Sequence, residues 1–155
     1  MNRLSRRCVA ALALLPLFAL PAHAGDERGT KAEAKAMVDA AYDHIKKVGP
    51  AKAYDDFTHD KADWTRKDLY VMVYDSHNVA LAHGANEKLV GKDLSAVKDA
   101  GGKPVVTGLN ALAAKGGGWY DYDWPDPVTK KIMAKSTYAR ELPDHNGFIG
   151  VGVYR

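Results

Sequence analysis

The chain has 155 residues, 22 of them Lys or Arg and 19 Asp or Glu, and carries one cysteine. Arg3, Arg6 and Arg7 lie in an acid-free opening stretch of 24 residues, so the rest of the chain is neutral; without a basic stripe it is a poor partner for nucleic acid or an anionic membrane surface. Cys8 lies in the same opening stretch, which excludes thiol catalysis, iron–sulfur ligation and cysteine-bound zinc from the remainder.

The opening stretch reads as a secretory signal. Three arginines precede an apolar run over residues 9–20, and Ala22-His23-Ala24 supplies the small-x-small pattern of a cleavage site, so cleavage is predicted after Ala24. The run is too short for a stable membrane-spanning helix, and no second one follows. Cys8 follows Arg7 directly and lacks the residues that precede a lipid-modified cysteine, while Ser5-Arg6-Arg7 leaves twin-arginine export as the alternative to the ordinary route. Residues 25–155 then form a single periplasmic domain with one core and no disulfide.

Within it, residues 25–30 are a polar lead-in. Ala34, Met37, Val38, Ala41, Ile45 and Val48 recur at three- and four-residue spacing, predicting an amphipathic helix over 31–48 with Thr30 as N-cap and Gly49-Pro50 as the stop. Its stripe faces either the sheet or a second copy of the chain. His44, near the C-terminal end, reads as a surface cap. A shorter helix follows over 51–58, then a charged connection over 59–67 in which Trp64 is a packing plug. Residues 69–75 (LYVMVYD) alternate as a strand, residues 75–78 are turn chemistry, and residues 79–83 return as its hairpin partner. A punctuated insertion comes next, with a short helix starting near Asp93 or Ser95 and another over 105–115.

Residues 116–127 (GGGWYDYDWPDP) predict a buried central strand: glycines turn the chain in, rings and carboxylates alternate, and Pro125 and Pro127 end it. Trp119, Asp121 and Asp123 share one face, and Tyr120, Tyr122 and Trp124 the other. Strands over 130–140 and 148–154 complete the set, and Gly150 and Gly152 mark a close approach of another element. The predicted fold is α+β, with a long N-terminal helix on a five-stranded antiparallel sheet and a helical insertion between the second and third strands.

The succession VMVYDSHNVALAHG, NEKLVGKDLSAVKDAGGKP, GGGWYDYDWPDP, AKSTYAR and FIGVGVY resembles the single Cache domain family, PAS-like extracytoplasmic sensors of bacteria. The resemblance implies a metabolite pocket, often for a short carboxylate, on the sheet face away from the long helix. Members usually sit in chemoreceptors or sensor kinases, which suggests a membrane receptor or kinase as partner. Here no output module follows the sheet, so the resemblance is to a free-standing member, and the family's frequent His-Pro reads His83-Gly84.

Alternation supplies candidate pocket residues. Lys131, Met133, Lys135 and Thr137 share one face of their strand; Lys135 is mid-strand, where a half-buried ammonium needs an anion, either Asp121 across the ladder or a ligand carboxylate. In the resembling motif the lysine of AKSTYAR falls on Lys135, which favours the ligand role. Trp119 would wall the pocket, Tyr70 and Met72 floor it, and His83 donate at its edge. Tyr122 and Tyr138 are assigned to the helix side, unless the faces are swapped; Arg140 is read as a surface charge.

Three other readings compete. Asp121, Asp123 and Asp126, with several histidines free elsewhere in the chain, suggest a metal or haem protein, although Pro125 spoils a calcium loop. A docking module for a membrane signalling protein would need no ligand. An enzyme finds no support, because no nucleophile elbow, HExxH or phosphate loop is present, so neither catalytic residue nor cofactor is assigned.

Overall fold

The structure, a computed structural model, describes residues 28–155. The predicted signal sequence and its predicted cleavage site lie outside the described residues.

Helix α1 (Lys31–Val48) begins where the sequence placed it. Thr30 and Glu33 form a reciprocal capping box, and the helix ends at Gly49, whose φ of 86° suits glycine. Ala34, Val38, Ala41 and Ile45 are buried against the sheet, so these four positions of the stripe pack within the chain, whereas Met37 is partly buried and Val48 exposed. Helix α2 (Pro50–His59) follows with proline in its first turn. His44 is not a surface cap: its Nε2 meets Asp56 Oδ2 at 2.9 Å and its ring packs on Trp64 and Phe57, joining the two helices. The charged connection forms a single turn, α3 (Lys61–Trp64), and a two-residue strand, β1 (Thr65–Arg66).

The remaining strands are β2 (Leu69–Asp75), β3 (Ala80–His83), β4 (Gly118–Pro125), β5 (Ile132–Glu141) and β6 (Gly147–Tyr154). All pairings are antiparallel, in the order β2-β6-β5-β4, with β1 and β3 both paired to β2. This is the predicted α+β architecture with one short extra strand. The strand over 116–127, however, is the sheet edge and not its centre. Its carboxylates alternate with its rings, so one face stays wet; within β4 itself Tyr122 alone is buried. The centre belongs to β6, which is buried at every position. Its glycines hide this from a hydrophobicity count, yet they let β5 side chains lie across the backbone: a Cβ on Gly152 would fall 2.2 Å from Lys135 Cε.

Two cores flank the sheet. One, under α1 and α2, includes Phe57, Val71, Val73, Ile149 and Val151; each such apolar side chain contributes about 1.5–3 kcal/mol by leaving water. The other lies under the insertion and α4 (Val106–Ala113). No helix starts at Asp93 or Ser95. Asp93 Oδ1 accepts the Ser95 N–H at 2.8 Å, a local turn in place of a helix cap, and Asp99 Oδ1 accepts from Gly101 and Lys103 in the same way. The insertion is therefore mostly turns, with a 3₁₀ turn at Glu87–Leu89 and α4 as its helical parts.

Candidate ligand-binding site

Alternation along four paired strands brings a polar cluster to the sheet face under α4. Tyr70, Met72 and Tyr74 project from β2, Tyr122 and Trp124 from β4, and Lys135 from β5, with His83 at the end of β3. Val105, Val106 and Leu109 roof them, leaving a cavity of about 10 Å³. That space admits about one water molecule, so this conformation is closed.

Lys135 is wholly buried, with 0% of its surface exposed. Its stem crosses Gly152, and its ammonium donates to the Tyr70 hydroxyl at 2.7 Å. The Nζ also lies 4.5 Å from the Tyr70 ring centre and 4.7 Å from that of Tyr154, in cation–π range of both. Among the described residues no carboxylate is in ion-pair contact with it. Burial pulls its pKa down to about 7, and the charges of Asp68 and Asp126 oppose that fall. The pocket thus holds a cation poised to lose its proton near neutrality.

Burial raises the pKa of Tyr70 and Tyr122 above the ordinary phenol range, so both keep their protons; the Tyr122 hydroxyl is 2.9 Å from Thr137 Oγ1. His83 Nδ1 accepts the Asn86 N–H at 3.1 Å, which leaves the ring proton on Nε2. Burial first, and the neighbouring Lys135 charge second, lower the His83 pKa to about 4, so the ring is neutral at pH 7.

Of the sequence-derived candidates, Tyr70, Met72, His83 and Lys135 converge on this cavity. Trp119 and Asp121 do not. Both lie on the opposite face of β4, where Trp119 packs beneath Lys31 and beside Tyr138, and Asp121 accepts from Ser136 Oγ. The cause is register: Asp121 pairs with Ser136, and Tyr122 with Lys135. Placing Asp121 opposite Lys135 is a one-residue slip, which exchanges the two faces of the strand. Tyr122 accordingly moves from the assigned helix side to the pocket, whereas Tyr138 packs on the helix-side core as assigned. Arg140 bonds Asp39 and lies 3.5 Å over the Tyr42 ring, fastening α1 to β5.

A charged cluster that no local sequence pattern marks lies beside the cavity. Asp126, 0% exposed, accepts two hydrogen bonds from Arg28, at 3.1 and 2.7 Å, and others from Thr129 and Val128. These hold its carboxyl well below the usual range. Arg28 also donates to Asp68 at 3.2 Å. With Asp126 committed to this cluster and Asp121 and Asp123 on the outer face, the three aspartates of the metal reading do not converge. Among the described residues no group of three or more potential ligands is placed to hold a metal.

A helix-backed antiparallel sheet with a small roofed cavity on its other face is the architecture of an extracytoplasmic sensor domain. The chain belongs to the family described as single Cache domain 2, which it matches over residues 19–155. Over 88 residues it is 35% identical to the methyl-accepting chemotaxis protein McpP of Pseudomonas putida, a match covering 56% of this chain and 16% of that protein. It is 32% identical over 88 residues to the sensor histidine kinase MctS of Rhizobium johnstonii, covering 57% and 19%. The chain therefore spans less than a fifth of either relative's length in these matches.

Among solved structures, a methyl-accepting chemotaxis protein from Vibrio parahaemolyticus superposes with a TM-score of 0.70 at 30% identity, over 80% of this chain and 87% of that one. A Cache chemosensory domain described for its carboxylic acid recognition gives 0.67 at 24% identity, over 79% and 91%, a likeness of fold. Among the described residues no helix is long and apolar enough to cross a membrane.

Proposed function

We propose that this protein is a periplasmic sensing domain that binds a small organic acid through Lys135. The observation that carries the reading is the lysine itself: an ammonium fully removed from water, facing phenol rings and without a carboxylate in contact, in a cavity lined by rings and a methionine. Burying an unpaired charge is costly, and an arriving carboxylate would relieve that cost by a charge-assisted hydrogen bond. The Tyr70 hydroxyl and His83 Nε2–H are the neighbouring groups suited to a second carboxylate oxygen. Because the closed cavity is so small, binding displaces roof side chains from α4 and the loop before it, and the ligand is a short acid.

The proposal includes export, with residues 1–24 removed, and a membrane receptor or kinase as the partner that reads occupancy. The names of the two matched relatives, a chemoreceptor and a sensor kinase, support that class of partner. A thermal-shift panel of short carboxylates, amino acids, amines and purines tests the reading. Selective stabilisation by carboxylates supports it; stabilisation by another class alone, or by none in protein refolded free of ligand, removes it.

A further inference from the structure

The β4–β5 turn lies over open space. A cleft of about 290 Å³ separates Pro127, Val128 and Lys130 from Lys67, Asp68 and Gly84, and Tyr70 forms a wall both of this cleft and of the Lys135 cavity. Val128, at the tip, is 67% exposed. The turn is braced internally by Asp126, which accepts the backbone N–H groups of Val128 and Thr129, each at 3.1 Å. Arg28 reaches this turn through its two hydrogen bonds to Asp126.

The same guanidinium reaches the segment that launches α1. Arg28 donates to Asp68 Oδ2, and Asp68 Oδ1 accepts the Gly29 N–H at 2.6 Å. A Cβ on Gly29 would overlap the Leu69 side chain at 2.3 Å, so the chain runs tight against β2 immediately before the Thr30 cap. Beyond the cap, Lys31 and Lys35 lie over the rings of Trp119 and Tyr138, so the first turns of α1 rest on β4 and β5 partly through cation–π contacts. Arg28 additionally lies 5.8 Å from the centre of the Tyr154 ring, the ring that covers Lys135.

We propose that Arg28 is a coupling residue: by bridging Asp126 and Asp68 it makes closure of the β4–β5 turn beside the Lys135 cavity and seating of the first turn of α1 a single event. A ligand that lifts the turn or shifts Tyr70 would then loosen the helix start. This use rests on the ligand reading above, whereas the coupling itself is a property of the ligand-free protein and is tested there.

The test is a double-mutant cycle read by amide hydrogen exchange, with Asp126→Asn, Arg28→Gln and their combination, and β6 amides as the measure of global opening. Asp126 makes no hydrogen bond to α1, yet Asp126→Asn is expected to speed exchange at Gly29 and Ala34 by about tenfold beyond any change in β6, the effect of losing a charged hydrogen bond. Arg28→Gln is expected to do the same at both Gly29 and the turn amides Val128 and Thr129, and the double variant to go no further than either single. Wild-type rates at Gly29 and Ala34 in Asp126→Asn, or effects that multiply in the double variant, would overturn the proposal. If these variants fail to fold, Arg28→Lys, which keeps the charge but lacks the two-pronged geometry, replaces Arg28→Gln and Thr129→Val replaces Asp126→Asn, with the same non-additive outcome required.

Discussion

Replacing Lys135 by methionine is expected to stabilise the ligand-free protein at mildly acid pH. The lysine pKa falls from 10.5 to about 7 on folding, because burial removes the ammonium from water. At about 1.4 kcal/mol per pH unit this gap corresponds to about 5 kcal/mol. Between those two values the unfolded chain holds the proton and the folded protein does not, so stability rises with pH across the window; below pH 7 the folded state carries the whole cost. Methionine keeps an unbranched stem over Gly152 and offers sulfur to the rings of Tyr70 and Tyr154, losing one hydrogen bond worth about 1 kcal/mol. The net gain at pH 6 is about 2–4 kcal/mol, on the order of 10 °C in melting temperature for a domain of this size. Calorimetric melts of both proteins at pH 6, 8 and 10 make the comparison, and titrations common to both cancel. A Lys135→Met variant less stable than wild type at pH 6, or with the same pH dependence from 7 to 10, would refute the reasoning.

Gly152→Ala places a methyl group where Lys135 Cε and Thr137 Oγ1 already lie, at 2.2 and 2.5 Å, in a region without space to yield, and is expected to cost about 1–3 kcal/mol in thermal or denaturant unfolding. Unchanged stability would contradict the close crossing. Trp119→Phe and Asp121→Asn, on the far face of β4, are expected to leave carboxylate affinity as it is, whereas Tyr122→Ala lowers it; titration of the three variants checks the assignment of faces. His83 resists protonation down to about 4 in the folded protein against 6.5 ordinarily, so stability is expected to fall as pH drops through this window, by up to about 3 kcal/mol. His83→Gln should flatten that dependence in acid titrations followed by circular dichroism.

Elements whose signals are local were legible in the sequence. The helix over 31–48 carries its own stripe, cap and stop, and the 69–83 hairpin its own alternation and turn residues, so each formed as predicted. Features that depend on distant strand partners carry no such local signal. The ring-rich strand reads as central because large rings suggest burial, yet centrality depends on pairing on both sides, which β6 has and β4 lacks. Lys135 was recognisable as a mid-strand cation, but its opposite number depends on a register set by the six residues that join β4 to β5, and one residue of slip put Asp121 where Tyr122 stands. Arg28 and Asp126 are separated by 98 positions and meet only through the completed sheet end. Neither has a local pattern that marks it; the Asp126-Pro127 turn was the one available hint that a carboxylate is fixed there.

Isothermal calorimetry of a panel of short carboxylates, run on wild type and Lys135→Met at pH 6 and pH 8 in buffers of different ionisation enthalpy, tests the central claim most directly. At pH 6 the lysine is charged before binding; at pH 8 it is mostly neutral and must take up a proton to pair with a carboxylate. The account therefore predicts that at least one acid binds wild type, more weakly at pH 8 and with proton uptake, and that Lys135→Met binds none while remaining folded. Equal binding by the variant, or no binding of any short carboxylate to ligand-free wild type, would contradict it.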